Sequence, residues 1–86
     1  MDKVLILASP IAPSQQIFIY RDGAVMEKFG IAIDYIADVI AAIHREYNID
    51  TVEISGNHSF TLGIQEQVTK QLSTEFNLED ITITCI

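Results

Sequence analysis

From Ile31 to Ile86 the hydrophobic repeat runs from helical to extended, back to helical and again to extended. In "IAIDYIADVIAAIHREY", Ile33, Ile36, Ile40, Ile43 and Tyr47 recur at steps of three and four, and Tyr35, Val39 and Ala42 widen the stripe. That period predicts an amphipathic helix. Asp34 and Asp38 lie toward its start and Arg45 at its end, as the helix dipole prefers, and Asn48 is placed to end it. Thr51 to Ser55 then alternates, with Val52 and Ile54 on one face and Thr51, Glu53 and Ser55 on the other. A second helix is expected over roughly Leu62 to Phe76, capped by Thr61 or Ser59, with Ile64, Val68, Leu72 and Phe76 as its stripe. "NLED" reads as a loop and "ITITCI" alternates again. Helix, strand, helix and strand in succession suit parallel crossovers.

The earlier part of the chain is β-prone. Val4 to Ala8, "VLILA", is a short apolar run whose length and following Pro10 predict a strand buried on both faces. "SPIAPS" is a loop. "QIFIYR" and "AVMEKF" flank Asp22-Gly23, a strong hairpin signal, and predict an antiparallel ribbon that Gly30 terminates. The expected order is β-β-β-α-β-α-β, one α/β domain with a mixed five-stranded sheet and two helices spanning residues 1–86. No repeat, low-complexity tract or linker divides it.

Two helices must cover that sheet, and here the sequence poses a problem. Thr51, Glu53, Ser55, Thr82 and Thr84 make one face of the later strands polar. Val4 to Leu7 and Ile17 to Tyr20 are apolar at both parities. If both helices lie on one side, an apolar patch is left on the other. If they divide, each face is thinly covered. A small domain buries a modest share of its surface and gains from a partner subunit, so self-association is expected.

Charge narrows the partners. The net charge is -7, and Asp50, Glu53, Glu66, Glu75, Glu79 and Asp80 share the second half with a lone base, Lys70. Five Lys and Arg residues cannot form a broad phosphate-binding surface, which disfavours tight nucleic-acid binding. The single cysteine, Cys85, excludes an internal disulfide framework and agrees with a reducing compartment. The apolar core of "MDKVLILASP" is too short for a signal peptide, and no run is long enough to span a bilayer. A cytoplasmic protein without membrane attachment is expected.

Candidate chemistry centres on Glu53 and on the loop that follows its strand. A mid-strand carboxylate needs solvent or a partner, and could help hold a divalent metal. Metal-dependent phosphoryl chemistry wants two or three converging carboxylates, and neither "VLILA" nor "ITITCI" supplies one. Asn57, His58, Ser59 and Thr61 lie beyond the carboxyl end of a strand and at the start of a helix, where anions are captured in open α/β sheets. No glycine-rich phosphate fingerprint accompanies them. His44 is expected to interact with the end of the first helix, and Cys85 to lie with Ile81 and Ile83 on the apolar face of the last strand.

The element order resembles the ribonuclease H-like fold. Within it, "IDTVEISGNHSFTLGIQEQVTKQLSTEFNLEDITITCI" is similar to the later half of the YqgF (RuvX) group of Holliday-junction-resolvase-like nucleases. Val52 to Gly56 corresponds to that group's glycine-ended strand, Gly63 to Phe76 to its helix, Leu78 to its "F-x-L" element and Ile81 to Cys85 to its final strand. The resemblance implies the fold but not the cleavage. Where the group has an Asp-x-Gly motif on the first strand, this chain has Ile6-Leu7-Ala8-Ser9-Pro10, and the acidic motif following the group's last strand has no counterpart up to Ile86. Glu53 alone could stand for a catalytic acid. The expectation is therefore a non-catalytic binding or assembly protein, self-associating and engaging a protein partner, with no cofactor. A diverged nuclease using Mg or Mn at Glu53, and a small anion or nucleotide binder at residues 57–61, are the alternatives.

Overall fold

A computed structural model describes residues 2–86. The chain forms β1 (Asp2–Leu7), β2 (Gln15–Arg21), β3 (Ala24–Ile31), a 3-10 turn (Ile33–Tyr35), α1 (Ile36–Glu46), β4 (Ile49–Ser55), α2 (His58–Phe76) and β5 (Thr82–Cys85). The sheet order is β3-β2-β1-β4-β5. β1, β2 and β3 pair antiparallel, whereas β4 joins β1, and β5 joins β4, in parallel. This is the mixed five-stranded, two-helix arrangement that the sequence predicts.

That order decides where the helices go. β3 runs parallel to β4, and the chain crosses from β3 over β2 and β1 to reach it. From β4 it continues outward in the same direction to β5. Parallel crossovers are right-handed, so two crossovers moving the same way across one sheet place both helices on the same side. The burial pattern agrees. Val4, Ile6, Ile17, Ile19, Val52 and Ile54 are at most 1% exposed and form one cluster with Ile36, Ile40, Ile64 and Leu72 of the helices. Burying each such side chain contributes about 1.5–3 kcal/mol, so this single layer holds most of the fold's stability.

β1 is therefore not buried on both faces. Ile6 is fully buried while its neighbour Leu7 is 43% exposed, because no element covers the second side. Other boundaries shift for local reasons. Gly30 does not end the ribbon; it lies inside β3 opposite Gln16, where a Cβ would come within 2.9 Å of Ser14 Oγ. No side chain caps the start of α1, so its entry tightens into the 3-10 turn, and Ile33 and Tyr35 turn outward instead of joining the buried stripe. Tyr47 rather than Asn48 closes α1, and β4 starts earlier than expected, at Ile49. The hairpin is as expected: Asp22 and Gly23 have φ of 52° and 81°, the left-handed pair a tight two-residue connection needs.

The far end of α2 carries a cap that was not anticipated. Asn77 adopts the left-handed conformation and Leu78 N–H reaches back 2.8 Å to Leu72 O, satisfying a terminal carbonyl. α2 is also tied to the sheet edge by Gln65, whose Nε2 donates to Ile83 O at 2.7 Å. That bond occupies a backbone acceptor on β5, which is an edge strand.

Candidate functional site

Side chains at the second parity of β1, β2, β3 and β4 line an uncovered sheet face, and their register can be followed row by row. In one row Thr84, Glu53, Leu5, Phe18 and Lys28 stand side by side across β5, β4, β1, β2 and β3. The next row toward the start of β1 is Thr82, Thr51, Lys3, Tyr20 and Val25. The row beyond, toward the end of β1, contains Ser55, Leu7, Gln16 and Gly30. Leu5, Phe18 and Tyr20 are half-buried, while Leu7 and Val25 are exposed. Phe18 and Tyr20 lie with ring centroids 6.4 Å apart. An open depression of about 490 Å³ on this face is lined by Lys3, Leu5, Tyr20, Asp22 and Gly23.

The polar groups of the face are arranged around this apolar centre. Glu53 Oε1 is 3.0 Å from Lys3 Nζ, a partly solvated ion pair between neighbouring strands. Lys28 Nζ sits 5.8 Å from the centroid of the Phe18 ring, and its stem shields one side of that ring. Glu53 thus faces solvent on a polar flank and has its base beside it. Among the described residues, no group of three or more His, Cys, Asp or Glu side chains converges to hold a metal ion, at Glu53 or elsewhere.

The loop after β4 has been drawn largely into structure. α2 begins at His58, four residues before Leu62, and Asn57 rather than Thr61 or Ser59 is its cap. Asn57 Oδ1 accepts from Phe60 N–H at 3.1 Å, and Asn57 O accepts from Thr61 N–H at 2.9 Å. The cap oxygen therefore takes the position an anion would use on Phe60 N–H. Thr61 is 1% exposed, with its hydroxyl donating to His58 O at 3.1 Å. Its side chain points into the core and not toward a ligand. His58 and Ser59 are exposed. Ser59 also borders a cleft of about 290 Å³ between the 3-10 turn and α2, which Ile33, Asp34, Phe60, Gln67 and Gln71 help to line. Of the four loop residues singled out in the sequence, one caps, one is buried, one borders a cleft and one faces solvent. They do not converge on a common point.

Gly56 fixes this junction. Its φ is +152°, and a Cβ there would lie 2.4 Å from Ala8 O. Only glycine lets the end of β4 pass so close to the end of β1.

Two polar arrangements escaped the sequence reading. Asp2 is 3% exposed and receives both Arg21 Nε, at 2.9 Å on Oδ1, and Arg21 Nη2, at 2.8 Å on Oδ2. Asn48 N–H adds a contact at 3.3 Å to Oδ2. The Arg21 hydrogen bonds hold the Asp2 carboxyl below its usual range, and Asp2 in turn raises Arg21. Tyr47 lies under the Arg21 guanidinium, 5.9 Å from its centre, and donates to Glu27. That bond raises the Tyr47 phenol. The cue in the sequence was the charge pair itself, an acid at the start of β1 and a base at the end of β2, which antiparallel pairing sets directly opposite each other. The second arrangement is Gln15, 3% exposed, whose amide makes reciprocal bonds of 2.6 and 3.2 Å to the backbone of Ser9 and closes the loop between β1 and β2. His44 meets Asp80 at 3.3 Å, joining the end of α1 to the approach to β5.

Among the described residues, no helix is long and apolar enough to cross a membrane. No protein-family model matches the chain, and a search of curated proteins returned no match.

Proposed function

We propose that this protein is a non-catalytic assembly protein that uses its uncovered sheet face to self-associate and to engage a protein partner, in a cytoplasmic setting. The observation that carries the reading is the apolar surface formed by Leu5, Leu7, Phe18, Tyr20 and Val25 opposite the helices. Contiguous apolar surface of this kind is a contact surface in folded proteins. The acidic remainder of the chain keeps the other surfaces soluble and mutually repulsive, which directs association to the face whose centre is apolar and whose acid Glu53 is paired with Lys3. The reducing compartment rests on the lone Cys85.

The cleft at Ser59 supports a second, smaller role as a binder of a small polar molecule, since Asp34, Gln67 and Gln71 offer polar contacts around its apolar floor. A diverged nuclease with Mg or Mn at Glu53 has less support, because Lys3 already engages that carboxylate. Sedimentation velocity over a hundredfold concentration range tests the main reading. The sedimentation coefficient should rise with concentration for the wild type and stay constant for Phe18→Ser. A wild type of constant size with no protein partner retained by the Phe18 face would refute it.

A further inference from the structure

The central row of the open face is self-complementary in charge. Glu53, Leu5, Phe18 and Lys28 are consecutive across β4, β1, β2 and β3, with an acid at one end, a base at the other and two apolar side chains between. A point midway between Leu5 and Phe18 is equally far from Glu53 and Lys28, about 7 Å at the ordinary strand spacing. Rotation by 180° about an axis that passes over this point along the strands, just above the face, lays Leu5 on Phe18 and Glu53 on Lys28 of a second copy, twice over. The same rotation sets Lys3 over the Tyr20 ring in the neighbouring row. The strand axes of the two sheets are then parallel to one another, which suits aligned sheet packing about 10 Å apart.

We propose that the uncovered face docks on a second copy of this chain about this two-fold axis between β1 and β2, with Glu53 of each copy meeting Lys28 of the other. This deepens, and rests on, the assembly reading above. The two ends of the row are available for such contacts. Lys3 occupies Oε1 of Glu53 and leaves Oε2, and Lys28 holds its ammonium at the level of the Phe18 ring. A two-fold contact of this kind is closed, so growth stops at the dimer, with β5 lying beyond its edge. The footprint is small. The four strands that overlap, β3, β2, β1 and β4, at about 4.8 Å and six residues at about 3.3 Å cover roughly 19 × 20 Å on each copy. Both copies together bury roughly 800 Å², below the usual size of a specific interface, so the dimer is expected to be weak and transient, forming in the micromolar range.

Charge reversal tests the arrangement and separates it from the broader reading. In Glu53→Lys each row ends in two bases, and in Lys28→Glu in two acids, so each variant alone sets like charges opposite each other across the dimer. Each should self-associate about tenfold or more weakly than the wild type. Mixed in equal amounts, the two restore opposite charges at both ends and should associate within about threefold of the wild type. Circular dichroism and melting curves of each variant confirm that it is folded. If the mixture associates no better than its components, or if the single variants dimerise as the wild type does, the two-fold arrangement is wrong. If Phe18→Ser then still abolishes wild-type association, the face remains the assembly surface in another register. A wild type that stays monomeric to about 200 µM overturns the self-association of both proposals.

Discussion

The two faces of this sheet are built from the same strands and differ in what the connections bring to them. On one face Val4, Ile6, Ile17, Ile19, Val52 and Ile54 meet two helices and lose essentially all contact with water. On the other, Leu5, Phe18 and Tyr20 are no less apolar, yet Leu7 remains 43% exposed beside them. Side-chain chemistry does not explain the difference in β1 and β2. The handed crossovers do, since both travel the same way across the sheet and deliver both helices to one side. Apolar residues at the second parity are then surplus to the fold, and a surplus of that kind points to a partner.

The sharpest way to break this comparison uses neighbouring residues. Ile6→Ala should cost about 2–5 kcal/mol, because it opens a cavity in the core between sheet and helices. Leu7→Ala, one residue on and on the other face, should change monomer stability by about 0.5 kcal/mol or less in urea unfolding at low concentration. Equal losses at the two positions would mean that both faces are covered in the monomer.

The buried end of the covered face gives a pH-dependent test. The Asp2 carboxyl, held low by Arg21, favours the fold when ionised. Its contribution is present above the ordinary value of 3.8 and is lost as pH falls below it toward the folded-state value. Asp2→Asn should therefore lower the melting temperature at neutral pH, and the gap from the wild type should close on acidification. A gap that is the same at pH 7 and at about pH 2.5 would detach the effect from that carboxyl.

Two smaller effects probe the junction where the chain leaves β4 for the covered side. Gly56→Ala forces a Cβ against Ala8 O and should cost about 1–3 kcal/mol. Asn57→Ala removes the α2 cap and should cost about 1 kcal/mol, with Asn57→Ser recovering most of it. If Asn57→Ala unfolds at the wild-type urea midpoint but weakens binding of phosphate or a nucleotide to the loop, the residue serves a ligand instead of the helix.

Much of the architecture was legible because each element carries its own periodicity. Ile36, Ile40 and Ile43 announce α1, Val52 and Ile54 announce β4, and Asp22-Gly23 announces the hairpin. What the sequence left open was relational. "VLILA" reads as buried on both sides because its composition records the wish to be covered, while coverage depends on crossovers made by distant segments. Likewise Thr61 looks like a cap or a ligand from its type, and only the earlier start of α2 at His58 turns it into the core. The Glu53-to-Lys28 row depends on three strand registers at once, which no single segment reveals.

Association through the open face is decided by which side of the sheet meets another molecule. Methyl NMR with a soluble paramagnetic agent reads this directly, because relaxation of each methyl reports its contact with solvent. On raising the protein from about 10 to 500 µM, a range that brackets micromolar association, the Leu5, Leu7 and Val25 methyls should lose their paramagnetic broadening while the outward-facing Leu62 methyls on α2 keep theirs. Unchanged broadening at Leu5 and Leu7, with protection appearing instead on the helices, would contradict it.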